Sequence, residues 1–277
     1  MQVLKCGRFR IELDRPRIMA IINVTPDSFT GDGVAYDLDA AMRRAQAAVD
    51  AGADLLDVGG ESTRPGSDPV SEQEELDRVI PLVERLAGWP VPLSVDTVKP
   101  VVMRAALAAG ASLINDINAF RAPGAVDVVK DGDAALCVMH MQGEPREMQR
   151  DPRYGDVVGE VERFLDERVR KLELAGVAAD RILVDPGFGF GKTVAHNLDL
   201  FRALERFAAG RYPVLVGFSR KSMLGSITGR PVDERLSASV AAALLAVERG
   251  ARIVRVHDVA ATRDALKVWE AVAGIEA

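Results

Sequence analysis

The chain has 277 residues, 48% of them hydrophobic, which is enough to bury a large core. Its net charge is -6, and the 35 basic residues are scattered among 41 acidic ones, which argues against nucleic-acid binding. No run approaches the roughly 20 apolar residues of a membrane span, and residues 1–12 lack the apolar core of a secretory signal. We therefore expect a cytoplasmic protein with no nucleic-acid or membrane partner.

The N-terminal residues predict a β-hairpin, with Val3–Cys6 and Arg8–Leu13 on either side of Gly7. Eight short runs rich in Val, Ile and Leu follow, and continuous apolar runs are typical of strands covered on both faces, as in parallel sheets. The predicted strands are Arg17–Ile22, Ala53–Val58, Val91–Val95, Ser112–Ile114, Ala134–Met139, Ile182–Val184, Pro213–Val216 and Arg252–Val256.

Segments with apolar residues at helical spacing lie between these strands. The predicted helices are Leu38–Ala51, Glu72–Leu86, Pro100–Ala109, Val157–Ala175, Asn197–Phe207, Asp233–Glu248 and Val259–Val272. The alternation predicts a (β/α)8 TIM barrel, with the hairpin closing its floor. A doubly wound open sheet is the alternative. We favour the barrel because eight units fit the length, and we expect one domain over residues 1–277 because no linker divides the chain.

Polar residues follow nearly every predicted strand, and in a barrel of parallel strands these ends meet at one mouth. Asp96, Asn115 and Asp185 suit a ligand edge with several N–H donors, such as the 2-amino-4-oxo edge of a pterin or guanine. A metal site or acid–base catalysis is the alternative. The histidines at 140, 196 and 257 form no cluster in the sequence, which argues against a catalytic metal cage.

The segment 185–193 is glycine-rich but fits neither of two familiar phosphate-binding motifs. Pro186 replaces the first glycine of a P-loop, and Lys192 replaces the last glycine of a dinucleotide fingerprint. We interpret it as a loop whose backbone approaches a flat ligand while Phe188 and Phe190 cover that ligand.

Three basic residues lie near strand ends and suggest an anion site, namely Arg64, Arg255 and His257. Guanidinium groups offer paired donors to phosphate oxygens. A surface salt bridge would explain any one of them alone, but their shared position favours an anion at the mouth.

With these motifs the chain resembles the dihydropteroate synthases of bacterial folate synthesis. The matching segments are residues 23–29, 59–66, 94–97, 115–116, 139–143, 185–192, 219–222 and 255–258. The resemblance implies a TIM barrel that condenses 6-hydroxymethyl-7,8-dihydropterin pyrophosphate with p-aminobenzoate and releases pyrophosphate. It also implies Mg²⁺, a homodimer, and sulfonamides as competitors of p-aminobenzoate.

The resemblance also implies roles for individual residues. The catalytic set is Arg64, Asp96, Asp185, Lys221, Arg255 and His257. The pterin set is Asp96, Asn115, Met139, Asp185, Gly217, Lys221 and Arg255. The pyrophosphate set is Asn23, Arg64, Arg255 and His257, with Asn23 also at the metal. The p-aminobenzoate set is Thr63, Pro65, Phe190 and Ser219.

Two other functions remain open at this point. A pterin-dependent methyltransferase with a corrinoid partner would share the pterin contacts but would not need a pyrophosphate site. A non-catalytic pterin-binding paralogue would have lost an anion-contacting residue, whereas Asn23, Arg64, Arg255 and His257 are all present.

We also expect segments 25–35 and 61–69, which mix glycine and proline with polar residues, to act as lids over the site.

Overall fold

The computed structural model describes residues 2–24, 37–63 and 66–274. Ten strands are described in it. They are β1 (Val3–Cys6), β2 (Phe9–Glu12), β3 (Arg17–Asn23), β4 (Leu55–Gly59), β5 (Leu93–Asp96), β6 (Leu113–Asp116), β7 (Ala135–Met139), β8 (Ile182–Asp185), β9 (Leu215–Val216) and β10 (Ile253–Val256).

Helices follow the barrel strands in turn. They are α1 (Leu38–Asp50), α2 (Glu72–Leu86), α3 (Pro100–Ala109), α4 (Ala125–Val129), α5 (Val157–Leu174), α6 (Val194–Arg202), α7 (Leu204–Ala208), α8 (Ser222–Thr228), α9 (Leu236–Glu248) and α10 (Val259–Ala273). None of the helices in the described ranges is both long enough and apolar enough to cross a membrane.

Strands β3 to β10 form one parallel sheet in the order β8, β7, β6, β5, β4, β3, β10, β9. The two ends of this order meet, because Val184 of β8 pairs with Val214 and its backbone N–H donates to the carbonyl of Pro213 at 3.0 Å. The sheet therefore closes, which confirms the predicted (β/α)8 barrel.

The predicted N-terminal hairpin is confirmed, with β1 and β2 paired antiparallel. Leu4, Cys6 and Ile11 on its inner face pack against buried side chains of the barrel interior, such as Met19 and Leu55. Both of these side chains point inward from the amino-terminal half of their strands. The hairpin thus closes the floor and leaves the opposite end of the barrel to ligands.

The helices differ from the sequence prediction in four places. The helix predicted over Asn197–Phe207 is divided at Ala203 into α6 and α7, and the one predicted from Asp233 begins at Leu236, after a short 3-10 turn. Helices α4 and α8 were not predicted, since five and seven residues are too few to show a helical period.

Candidate active site

A row of polar residues lies at the carboxyl ends of adjacent strands. Asn23 of β3 is in register with Gly59 of β4, Gly59 with Asp96 of β5, and Asp96 with Asn115 of β6. Parallel strands point their ends the same way, so this pairing brings the predicted metal, pterin and pyrophosphate residues of these strands to one mouth.

Arg255 of β10 reaches across the barrel to two carboxylates. Its Nε donates to Asp57 Oδ2 at 2.6 Å, and its Nη2 donates to Asp96 Oδ2 at 2.9 Å. Ser94 Oγ donates to the other oxygen of Asp57 at 2.5 Å. Burial lowers the pKa of Arg255, but the two carboxylates outweigh this and raise it. Burial raises the pKa of Asp96 to about 7, although Arg255 opposes the rise.

Asn115 is 4% exposed, and its side-chain oxygen has no hydrogen-bond partner among the described residues. An unpaired buried acceptor costs about 1–3 kcal/mol, and a ligand N–H at this position would remove that cost. The side chain next to Asp96 is therefore organised to accept a hydrogen bond from a ligand.

Asp185 ends β8 as a buried carboxylate and accepts a hydrogen bond from the backbone of Gly187 at 2.7 Å. Burial raises its pKa, and Lys221 opposes the rise most strongly. Burial also lowers the pKa of Lys221 to about 8. Lys221 Nζ donates to the carbonyl of Phe188 and lies 4.7 Å from the centre of the Phe190 ring. The acid, the amine and the half-buried aromatic ring thus share one side of the mouth.

The glycine-rich loop needs its glycines for contacts within the protein. Gly187 and Gly191 have positive φ angles of 72° and 60°, and a Cβ on either would collide with the carbonyl oxygen of His140 or Gln142. Phe188 is fully buried in the core. The expectation that both aromatics cover the ligand is therefore wrong for Phe188, and Phe190 alone remains at the mouth.

Lys192 holds this loop from inside. Its ammonium donates to the carbonyls of Gly187 at 2.8 Å and Phe190 at 3.0 Å, and lies 2.9 Å from His140 Nδ1. An ammonium has three protons, so these three close contacts satisfy it, and the carbonyl of His140 lies farther away at 3.4 Å. Burial lowers the pKa of Lys192. Because Nδ1 accepts this bond, the neutral His140 carries its proton on Nε2.

Two strand-end loops are joined on the side of the mouth near β9 and β10. The backbone N–H of His257 donates to Ser219 Oγ at 3.1 Å, and His257 Nδ1 lies 3.0 Å from the same oxygen. Beside this pair, the Arg220 guanidinium forms two hydrogen bonds to Asp258 at 2.6 and 3.1 Å. The predicted pyrophosphate residue His257 and the predicted p-aminobenzoate residue Ser219 are therefore in contact.

The other predicted residues that the structure describes also lie at this mouth. A Cβ at Gly217 would be 3.7 Å from Arg255 Cβ and 4.0 Å from Lys221 Nζ. Met139, 3% exposed, belongs to a small apolar cluster against which Phe190 packs. Thr63 and Asp96 line a cavity of about 550 Å³. Arg64 and Pro65, and the predicted lid 25–35, lie outside the described residues, as does part of the lid 61–69.

Sequence reasoning assigned no role to Asp57 and none to Lys192. Both carried a visible signal, since each is a charged residue within an otherwise apolar or glycine-rich segment. Charged side chains are almost never fully buried without a partner, so a charge inside a buried strand predicts an ion pair. The sequence alone did not identify Arg255 as that partner, because the two residues are 198 positions apart.

A closed barrel with acids, an unpaired amide oxygen and an arginine at its carboxyl-end mouth has the form of a TIM-barrel active site, with acceptors suited to a ligand that carries N–H donors. Residues 19–257 match the family model described as pterin binding enzyme. The dihydropteroate synthase of Neisseria meningitidis serogroup C is 52% identical over 275 residues, covering 98% of this chain and 97% of that protein.

Solved structures agree with this match. Dihydropteroate synthase of Burkholderia cenocepacia, complexed with 7,8-dihydropteroate, is 59% identical with a TM-score of 0.91, covering 99% of this chain and 97% of that one. The Yersinia pestis enzyme in a sulfonamide drug complex is 46% identical with a TM-score of 0.94, covering 99% and 100%. The chain belongs to the dihydropteroate synthase family of pterin-binding enzymes.

The buried His140 should make stability depend on pH. Burial lowers its pKa from 6.5 to about 2, with the Lys192 charge acting in the same direction, so the unfolded chain binds a proton that the folded one does not. This stabilisation is complete above the unfolded pKa and is lost as pH falls below it. Between pH 7.5 and 5, the free energy of unfolding should fall by about 2 kcal/mol from this residue alone.

Chemical denaturation of the wild type and of His140→Gln at both pH values measures this contribution. The glutamine oxygen keeps an acceptor for Lys192 but does not titrate, so the variant should lose less stability on acidification than the wild type. Equal losses in the two proteins would show that His140 does not stay neutral in the folded state.

Proposed function

We infer that the protein condenses 6-hydroxymethyl-7,8-dihydropterin pyrophosphate with p-aminobenzoate, giving 7,8-dihydropteroate and pyrophosphate. The observation that carries this inference is Arg255, which joins Asp96 in the predicted pterin pocket and lies two residues from His257 on the predicted pyrophosphate side. Membership of the family supports the same reaction. Neither the methyltransferase nor the non-catalytic paralogue is favoured, because the full-length relatives are dihydropteroate synthases.

In this proposal, the pterin lies with its N–H edge toward Asp96, Asn115 and Asp185. The unpaired oxygen of Asn115 and the two buried carboxylates are acceptors, as such an edge requires. Lys221 complements the carbonyl side of the ring, and Met139 and Gly217 border it. Each charge-assisted hydrogen bond of this kind contributes about 1.5–3 kcal/mol.

The proposed reaction begins with departure of pyrophosphate. The C–O bond to the pterin methylene breaks, and its electron pair leaves with the pyrophosphate. The electron-rich ring delocalises the positive charge that remains on the methylene. In this proposal, Asp96 and Asp185 are near that positive charge and favour it. The arylamine nitrogen then forms the C–N bond and loses a proton. Thr63, Phe190 and Ser219 border its pocket, which in this proposal also admits sulfonamide inhibitors.

Stabilisation of the leaving group is assigned to Arg255, His257 and Arg64. A preorganised charged donor in a water-poor site contributes about 2.7–4 kcal/mol, as a single oxyanion-hole donor does. Mg²⁺ prefers oxygen ligands, which include substrate phosphates and carbonyl oxygens, and Asn23 offers a carbonyl oxygen at the end of β3. When bound there, Mg²⁺ would neutralise diphosphate charge.

We place the reaction in the cytoplasm, since Cys6 and Cys137 are both free thiols, as a reducing compartment allows.

A homodimer is also proposed. Helices α9 and α10 pack side by side, and they leave Leu245 45%, Val268 66% and Val272 85% exposed. Apolar side chains grouped on adjacent helices are a typical subunit interface.

The proposed function predicts release of pyrophosphate when the purified protein is mixed with the pterin pyrophosphate, p-aminobenzoate and Mg²⁺. A coupled phosphate assay measures it, and chromatography identifies 7,8-dihydropteroate. No release with both substrates saturating, together with pterin binding by calorimetry, would instead establish the non-catalytic paralogue.

Asp185→Asn should weaken pterin binding by roughly 10- to 100-fold, because it removes one charge-assisted acceptor. Calorimetry with 6-hydroxymethylpterin measures this loss. Asp54→Asn is the matched control, since Asp54 is a largely buried acid paired with Arg15, Arg17 and Arg263 just before β4, at the floor end of the barrel. Wild-type affinity in Asp185→Asn would remove that residue from the pterin pocket.

The homodimer is tested by sedimentation equilibrium. Leu245→Glu should convert the dimer to a monomer, because a charge would be buried at the proposed interface. Leu174→Glu, on α5 and 78% exposed, should leave the dimer intact. A monomeric wild type, or a Leu245→Glu variant that stays dimeric, would place the contact elsewhere.

A further inference from the structure

Asp57 is a fully buried acid at the centre of β4. It accepts hydrogen bonds from Ser94 Oγ at 2.5 Å and from Arg255 Nε at 2.6 Å. A buried carboxylate costs several kcal/mol of desolvation, and it is tolerated only when paired and hydrogen-bonded. Its negative charge therefore has one described cationic partner, which is the arginine of the proposed catalytic set.

The two acids that hold Arg255 differ in their access to a ligand. The side chain of Asp96 is 10% exposed and lines the cavity at the mouth, whereas that of Asp57 is 0% exposed and does not line it. A ligand that hydrogen-bonds to Oδ2 of Asp96 competes with Arg255 Nη2 for that oxygen. The carboxylate that accepts from Nε is thus closed to solvent, whereas the one that accepts from Nη2 is not.

We propose that Asp57 is a positioning residue for the condensation, which holds Arg255 through Nε while Nη2 passes from Asp96 in the empty site to the diphosphate of the bound substrate. This inference rests on the proposed function. The pterin displaces Nη2 from Asp96, and the freed donors then face the leaving group. The guanidinium turns about a fixed point and does not leave the site.

Removing the charge of Asp57 should harm the reaction in a specific way. In Asp57→Asn, Asp96 is the one remaining carboxylate of the two that bind Arg255. The ion pair between Arg255 and Asp96, which the pterin must displace, therefore becomes stronger. The asparagine oxygen keeps a hydrogen bond to Nε but carries no charge, so the bond that fixes the guanidinium becomes weaker. The stronger pair with Asp96 raises KM for the pterin pyrophosphate, and the weaker orientation of Arg255 lowers kcat.

The experiment compares Asp57→Asn with Asp54→Asn, which removes a largely buried, arginine-paired acid that lies just before the same strand, at the floor end of the barrel. The kcat/KM of Asp57→Asn should fall roughly 30-fold, within the range by which contacting charged residues couple. Asp54→Asn should lose stability and keep its kcat/KM. If Asp57→Asn retains kcat/KM within about twofold, the proposal is wrong.

A double-mutant cycle with Arg255→Ala separates positioning from a structural role. If Asp57 acts through Arg255, Asp57→Asn should cause no further loss of kcat/KM in the Arg255→Ala protein. Losses that add would overturn the proposal, because Asp57 would then act independently. An inactive wild type would instead refute the proposed function, so the two failures are distinguishable.

A measurement on the wild-type protein covers the case in which Asp57→Asn does not fold. Nuclear magnetic resonance of the Arg255 Nε–H, assigned through Arg255→Lys, reports its hydrogen bond without any assay of activity. The signal should stay protected from solvent exchange when 6-hydroxymethylpterin, pyrophosphate and Mg²⁺ are added. Loss of protection on binding would show that Arg255 leaves Asp57 and would overturn the proposal.

Discussion

The Arg255 guanidinium lies between the carboxylates of Asp57 and Asp96, and the rest of the mouth is arranged around that shared charge. The two carboxylates, which are buried beside the guanidinium, keep it protonated and fix its position. The same contact ties the pterin side of the site to the pyrophosphate side, since Asp96 belongs to one and Arg255 to both. Whatever binds Asp96 therefore changes what Arg255 can offer to an anion.

The barrel provides the open end at which these charged groups meet. Closing the ring between β8 and β9, and filling the floor with the hairpin, excludes water from below while the carboxyl ends stay open. The loop after β8 is held by Lys192, whose acceptors belong to the loop and to His140. Lys192 thus fixes the backbone that follows Asp185, which lowers the cost of ordering this side of the site when a ligand binds.

The strands, the hairpin and the shared mouth were predictable, because continuous apolar runs ending in polar residues are a local feature of the sequence. Shorter elements were not, as α4 and α8 show, since a helix of five or seven residues has no measurable period. Phe188 was misassigned for a related reason. A pattern of alternating Gly and Phe gives no indication of which ring enters the core. The Asp57–Arg255 pair was missed because it joins positions 198 residues apart.

The central claim is that Arg255 couples the two halves of the site. Calorimetry of 6-hydroxymethylpterin with and without pyrophosphate, at fixed Mg²⁺, tests it most directly. Because the pterin frees Arg255 from Asp96, pyrophosphate should tighten pterin binding by about tenfold in the wild type, the scale of a typical coupling between sites. That gain should vanish in Arg255→Ala. Equal pterin affinity with and without pyrophosphate in the wild type would contradict the account.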